Sequence, residues 1–429
     1  MKISISGIRG VYGKDFVPED VIKYCNGFSK LIKTGKCVIG RDTRNTGEMI
    51  EKLVSATMLE RGIDVYNLGI IPTPVVFRKA KEMGSGIIIT SSHNPLEWNG
   101  LKFIIEGRGI TQEELEIVKN EKNSDRINIG NEITVESDYI FDAVNIIGKL
   151  KKPQQVTVDI GGGSAKEIAP RLLEEIGCQV ETINENLDEC SRGPDPTSDK
   201  LTELISKTKN VGFAFDLDSD RVILVMNGEK KSSDITLGLG VVRAIKLGIK
   251  KFVLSIDSSL AVEKYIIKHG GQVWRSKVGE ANVIQMMIEN NADAGGEGSS
   301  GGFILKKFNM CRDGLLTSGL IASMIDDETI QKDIEFFESF SQSRSKISIE
   351  SSLHDKVITM IAKEMKKKYE INQLDGIKIN INDDTWSLIR KSNTEDIIRV
   401  STESNNKQLL KKIQSEMIKK VECCYEEIK

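Results

Sequence analysis

Histidine is scarce: the chain has three in 429 residues, and its seven cysteines are scattered, with Cys423-Cys424 as the only close pair. No CxxC and no Cys/His array appears, so the cysteines read as reduced thiols of a cytosolic protein. Charge of one sign is lacking as well. Sixty basic and 63 acidic residues nearly cancel to a formal net of -3, which leaves no basic field to draw in nucleic acid or anionic lipid. No stretch approaches the ~18 apolar residues of a membrane span, and Met1-Lys-Ile-Ser-Ile-Ser6 is not a basic region leading into an apolar run. These absences predict a cytoplasmic protein whose partner is a small molecule, with no nucleic acid and no membrane.

What the chain does have is a repeated grammar. Its length predicts two to four domains. Cys37-Val-Ile-Gly-Arg-Asp42 leads through polar Thr43 to Gly47 into a helical pattern ending near Leu59, then Gly62 and a short strand at Ile63-Asp-Val65. Val156-Thr-Val-Asp159 meets Gly161-Gly-Gly-Ser164, a helix through Leu173, Gly177 and Val180. Phe252-Val-Leu-Ser-Ile-Asp257 meets Ser258-Ser259, a helix through Ile267, Gly270-Gly271 and Val273. Each has an apolar strand ending in Asp, small or polar residues that can cap a helix, an amphipathic helix and a terminating glycine. Any α/β protein alternates strands and helices; the shared aspartate argues for three related βαβ-type domains.

The C-terminal part differs. Gly376 to Asn382 alternates in period two, Asp383-Asp384 can turn, and Trp386–Ile389 and Ile397–Val400 continue as strands before a Lys-, Gln- and Leu-rich helix from about Asn405. This predicts a small α+β domain. Lys363 to Lys368 read as the solvated face of a helix preceding it.

Four stretches carry chemistry. In Phe213-Ala-Phe-Asp-Leu-Asp-Ser-Asp-Arg-Val-Ile-Leu-Val-Met226 three carboxylates recur at every second residue between apolar strands, so an extended loop can turn them onto one hard cation. An EF-hand would need glycine where Arg221 sits. A haloacid-dehalogenase-type phosphatase would share Asp216-Leu-Asp218, but usually has Thr or Val in place of Asp220 and carries the motif at the start of its first domain. A solvated turn would leave the carboxylates repelling one another.

In Thr90-Ser-Ser-His-Asn-Pro95 a serine hydroxyl needs a base or metal to act as a nucleophile, and a phosphate on it would give a hard oxygen ligand. Ser91-Ser92-His93 alone reads equally as a capping turn. The following Asn99–Ile105 strand brings back a cation, Lys102, and a metal site, a serine and a cation together suit phosphoryl transfer. Gly295-Gly-Glu-Gly-Ser-Ser-Gly-Gly302 predicts a flexible loop with exposed N–H groups, a carboxylate and two hydroxyls for polyol oxygens. Arg390-Lys-Ser-Asn-Thr394, followed by Arg399, supplies guanidinium and hydrogen-bonding groups suited to phosphate.

In this order the four segments resemble the α-D-phosphohexomutases, and the similarity extends over nearly the whole chain. Gly7-Ile-Arg-Gly10, Gly40-Arg-Asp-Thr-Arg44 and the cleft-facing loop Lys277-Val-Gly-Glu280 add to it. The resemblance implies four domains around a central cleft: 1–140 with the phosphoserine loop, 141–231 with the magnesium loop, 232–340 with the sugar loop and 341–429 as a smaller lid with the phosphate loop. By position, Ser92 would carry the phosphate, with His93 shaping that loop and contacting phosphate. Asp216, Asp218 and Asp220 would hold Mg²⁺ together with a phosphoserine oxygen. Arg9 and Lys102 would move protons; a free lysine is a poor base at neutral pH, so the metal and the arginine are expected to lower its pKa. Glu297 and Ser299 would contact sugar hydroxyls, Arg390, Ser392, Asn393 and Thr394 would clamp the unreactive phosphate, and Arg221, Lys277 and Arg399 complete the substrate-binding set.

The implied reaction interconverts hexose 6- and 1-phosphates through a hexose 1,6-bisphosphate, which also serves as activator. Phosphoglucosamine mutase is the favoured substrate assignment, with phosphomannomutase or phosphoglucomutase as the alternative. A Mg²⁺-dependent sugar phosphatase and a non-catalytic sugar-phosphate-binding protein stay open, as do monomer and homodimer. Three departures from the family pattern stand out: Gly301-Gly302 where many bacterial members have Gly-His, one extra residue that leaves Ser299 and Ser300 as rival sugar contacts, and Asp396 where proline is common. The acidic Asp396 is expected to weaken phosphate binding.

Overall fold

A computed structural model describes residues 1–120, 129–392 and 396–429. The repeat it reveals is longer than the βαβ units read from sequence. In the first domain Lys36–Arg41 pairs in parallel with Asp64–Ile70 on one side and Ser85–Ile89 on the other, and Trp98–Ile105 closes antiparallel on the last. In the second, Gln154–Asp159 lies between Cys178–Ile183 and Val211–Phe215, with Val222–Met226 antiparallel. In the third, Lys251–Ser255 lies between Gln272–Ser276 and Ala294–Glu297, with Gly302–Leu305 antiparallel. All three thus share one four-strand order.

The inner strands run through the core and so are apolar almost throughout: every residue of Ser85–Ile89, Val211–Phe215 and Val222–Met226 is buried. The strand-end aspartates act on loops. Asp42 accepts from Arg44 and Thr90, and Asp159 pairs with Arg192. Only part of the predicted capping holds. Ser259 caps the helix Leu260–Lys268, but Thr46 makes no side-chain cap to Gly47–Glu60, and the Ser164 hydroxyl donates to Leu217.

One consequence of the shared order decides where chemistry can occur. The turn from the third parallel strand to the antiparallel fourth falls at residues 90–97, 216–221 and 298–301, so all three motif loops occupy the same place in their domains. The first sheet also gains Gly7–Val11, antiparallel to Trp98–Ile105, which sets Arg9 opposite Gly100. After Glu132–Thr134, which pairs with Asp64–Ile70, the chain leaves that sheet. The helix Tyr139–Ile147 then buries Tyr139, Ala143 and Ile147 in a core continuous through the second and third domains.

The fourth domain is a five-stranded antiparallel sheet with the helices His354–Met365 and Lys407–Ile428. Its edge strand Ser341–Ser348 has no sequence signal, because Ser341-Gln-Ser-Arg-Ser-Lys-Ile-Ser carries no apolar alternation. The domain docks on the third: Trp386 and Leu388 pack on Ile256, Glu403 accepts from the backbone of Leu260, and Lys378 donates to the carbonyl of Ile256 at 2.9 Å.

Candidate active site

The loop after Ser85–Ile89 is held from below by Arg44. That fully buried guanidinium donates to the carbonyls of Ser92 (2.6 Å), Asn94 (2.8 Å), Pro95 (2.5 Å) and Trp98 (2.9 Å) while paired with Asp42. Within this frame Ser92 has φ 52°, a left-handed conformation costly for a non-glycine residue and kept only where surroundings enforce it. The Ser92 amide donates to Thr90 Oγ1 at 2.8 Å, which turns the hydroxyl outward to Asp216 Oδ2 at 3.1 Å, with His93 Nδ1 3.4 Å away.

Asp216, Asp218 and Asp220 each present an oxygen, all within 4.8 Å of one another and all buried. Asp218 Oδ1 and Asp220 Oδ1 have no hydrogen-bond partner, and Thr73 Oγ1 donates to Asp218 Oδ2 at 2.7 Å. Orphaned buried carboxylate oxygens in so close a cluster fit a hard divalent cation such as Mg²⁺. The electrostatics agree. Burial, reinforced by Asp218 and Asp220, pushes Asp216 well above the usual carboxylate range, and burial with Asp220 raises Asp218. For Asp220 burial works upward, but Arg312, Lys102 and Arg221 reverse it and hold the group ionised.

A ring of charges surrounds the triad. Lys102 Nζ lies 2.9 Å from Glu280 and 3.8 Å from Asp220; Arg312 reaches Asp220 (2.6 Å), Glu297 (2.8 Å) and Glu280 (3.3 Å). Arg221 sits between Asp216, Asp220 and Asp195 at 3.7–3.8 Å. Arg9, on the strand beside that of Lys102, is lowered by burial against the pull of Asp218 and Asp220. Among the protein's own groups, burial works downward on Lys102, but Glu280 and Asp220 outweigh it and raise it. His93 goes the other way. Arg221, then burial, Arg9 and Arg312 drive it down to about 2, so its ring is neutral.

The predicted flexible glycine loop is a packed one. Gly295, Gly296, Gly298 and Gly302 are buried, and a Cβ on Gly298 would lie 1.9 Å from Asp234 Oδ1. These glycines allow close approach rather than motion. Buried Glu297 accepts from the amide of Gly279 at 2.6 Å and from Arg312, and burial raises its pKa. Ser300 turns inward to the Glu297 carbonyl and Arg312, whereas Ser299 stays half-buried, so Ser299 is the more available hydroxyl.

Lys277 is exposed, and the residues after it stitch loops together. Gly279 binds Glu297 while Val278 N donates to Asp375, which lies 4.0 Å from Arg390. Arg390 faces Arg399 across one strand pair and Arg399 faces Lys346 across the next. Three cationic side chains in a row suit an anion. Ser392 is buried beside them; Asn393 and Thr394 lie outside the described residues. Asp396 is exposed, and its carboxylate accepts from Ser351.

Arg44, Thr73, Glu280 and Arg312 are the site residues that sequence pattern did not single out. Arg44 and Glu280 stand inside quoted motifs, but Cys311-Arg312-Asp313 has no motif; its one signal is a charged pair set between apolar segments.

With this geometry established, family models named phosphoglucomutase/phosphomannomutase alpha/beta/alpha domains I, II and III and C-terminal domain match residues 1–127, 137–229, 234–340 and 354–420. The chain belongs to the phosphoglucomutase/phosphomannomutase family. It is therefore a phosphohexomutase, an isomerase working by phosphoryl transfer. Among relatives of this phosphohexomutase, a phosphoglucosamine mutase of the archaeon Methanococcus vannielii is 34% identical over 433 residues, covering 94% of this chain and 95% of that one. A phosphoglucomutase/phosphomannomutase family protein from Burkholderia thailandensis has the same fold, with TM-score 0.83 at 21% identity over 99% and 98% of the chains. An N-acetylphosphoglucosamine mutase of Aspergillus fumigatus, solved with GlcNAc-6P and magnesium, gives a TM-score of 0.61 at 14% identity over 91% and 83%.

Proposed function

We propose that this phosphohexomutase interconverts glucosamine 6-phosphate and glucosamine 1-phosphate, with Ser92 as phosphoryl carrier and a hexose 1,6-bisphosphate as intermediate and activator. One observation carries the reading: the Ser92 hydroxyl lies 3.1 Å from Asp216, at the edge of a buried three-carboxylate site ringed by Lys102, Arg9, Arg221 and Arg312. The relative's name supports the glucosamine assignment; mannose and glucose phosphates are the alternative.

In this reading Asp216, Asp218 and Asp220, with an oxygen of phosphorylated Ser92, would hold Mg²⁺, as their unpartnered buried oxygens favour. Bound there, the ion supplies positive charge against the phosphoryl oxygens. A sugar hydroxyl attacks the phosphorus, its bond to Ser92 Oγ breaks, and the resulting bisphosphate returns its other phosphate to Ser92 after turning over. Lys102, held protonated by Glu280 and Asp220, is fitted to give a proton to a departing oxygen; it takes one from the attacking hydroxyl only once the Glu280 pair loosens. Arg9 beside it shares that work, and neutral His93 orients at Ser92 without adding charge.

Glu297 and Ser299 grip sugar hydroxyls, and Arg221 and Lys277 join them. Arg390, Ser392 and Arg399, with Asn393 and Thr394, hold the other phosphate. Closing the fourth domain over the cleft keeps water from the phosphoserine. The reading places the chain in the cytoplasm as a monomer or homodimer; among the described residues no helix is long and apolar enough to cross a membrane.

The test is to incubate purified protein with Mg²⁺, catalytic hexose 1,6-bisphosphate and, separately, the 1- or 6-phosphates of glucosamine, mannose, glucose and N-acetylglucosamine, following isomer and free phosphate. Isomerised glucosamine phosphate, lost in Ser92→Ala, is expected. Free phosphate without isomer would make the protein a phosphatase; no turnover with unmodified Ser92 would leave only a binding role.

A further inference from the structure

One side chain grips both halves of the proposed site. Arg312 is fixed at its backbone, its amide donating to Glu280 Oε2 at 2.9 Å and the next residue, Asp313, capping the helix Gly314–Ala322. From there Nη2 donates to Asp220 Oδ2 at 2.6 Å and Nη1 to Glu297 Oε2 at 2.8 Å, while Nε lies 3.3 Å from Glu280 Oε2. The guanidinium lies where it does because residue 302 is glycine: a Cβ there would sit 2.2 Å from Arg312 Cδ. Asp220 belongs to the carboxylate triad and Glu297 to the sugar loop, so one guanidinium bridges the two.

We propose that Arg312 is a positioning residue that competes with the divalent cation for the charge of Asp220: it holds Asp220 Oδ2 and Glu297 together, leaves Asp220 Oδ1 to the metal, and weakens that carboxylate as a ligand. An arginine cannot lose its charge at working pH, so a divalent ion approaching Asp220 meets both a competing donor and a repelling cation. The metal then binds more weakly than the triad alone would bind it. The metal site rests on the mutase reading, but the competition is measurable without sugar or turnover.

The probe is Mn²⁺, titrated by calorimetry into substrate-free protein: wild type, Arg312→Gln, and Gly302→Ala as a second route that displaces the guanidinium without deleting it. The expected result is a dissociation constant at least threefold lower in Arg312→Gln and shifted the same way in Gly302→Ala, with turnover reduced in both. Mn²⁺ binding unchanged or weaker in Arg312→Gln, or in Gly302→Ala if the first variant does not fold, overturns the competition and leaves the mutase reading standing. Absence of Mn²⁺ binding to wild type overturns the metal site itself, and the competition with it.

Discussion

Arg44→Met tests whether the phosphoserine loop is held by one buried cation. In the native protein Arg44 spans four carbonyls between Ser92 and Trp98 at 2.5–2.9 Å and pairs with Asp42, both side chains fully buried. Hydrogen bonds to a charged group are worth about 1.5–3 kcal/mol each, but four from one guanidinium share its charge and do not add. Removing one partner of a buried ion pair costs about 3–5 kcal/mol, and that is the better figure, since methionine fills much of the volume and leaves Asp42 with Thr90 and a backbone amide. At about 1.4 kcal/mol per factor of ten, amide exchange over residues 90–98 should rise about a hundredfold or more. Exchange over 211–226, in the next domain, should stay within a few-fold. With the left-handed Ser92 no longer enforced, kcat should fall more than KM rises. Arg44→Lys should recover little, because a point donor does not span four carbonyls. The assay is hydrogen exchange read by peptide mass spectrometry, beside hexose phosphate turnover. Loop exchange within about threefold of wild type, with turnover undiminished, would refute the reasoning.

Three further outcomes are expected. Mg²⁺ at a hundred times its dissociation constant should stabilise the protein by about 2.7 kcal/mol, and Asp218→Asn, which alters an unpartnered carboxylate oxygen, should abolish that rise in melting temperature; an equal rise in the variant would put the metal elsewhere. Lys378, buried between the third and fourth domains, is depressed to about 7 by burial and Arg275, against Glu403, Glu263 and Asp257. Its unfolded form binds the extra proton between that value and about 10.4, so wild type should gain stability over Lys378→Met as pH rises through this window, by at most ~1.4 kcal/mol per unit, the gain vanishing below it. Urea midpoints at pH 7 and 9 measure this, and a pH-independent difference would mean the ammonium is solvated. Gly298→Ala should raise KM for the sugar phosphate more than it lowers kcat and cost about 1–3 kcal/mol in stability, because the new methyl would meet Asp234 and Ser258; steady-state kinetics with an unchanged KM would remove the sugar role from this loop.

The parts of this protein written in local pattern could be read from its sequence. An apolar strand, a strand-end aspartate and an amphipathic helix lie within thirty or so residues of one another, and three carboxylates at every second position announce a cation wherever they fold. What escaped depends on pairing over distance. Nothing near Cys311-Arg312-Asp313 says that its arginine will meet Asp220, Glu280 and Glu297 at once, because those partners come from loops whose strands must first be set side by side. Lys102 shows the same dependence. Its partner Glu280, 2.9 Å away and raising the lysine, comes from a loop distant in the chain that no local pattern ties to it. Glycine misled for a different reason: Gly298 and Gly302 look like freedom in a linear string, but their φ values are not left-handed and their Cα atoms abut Asp234 and Arg312. The missing side chains there make room for charge, so the site's electrostatics depend on residues that carry none.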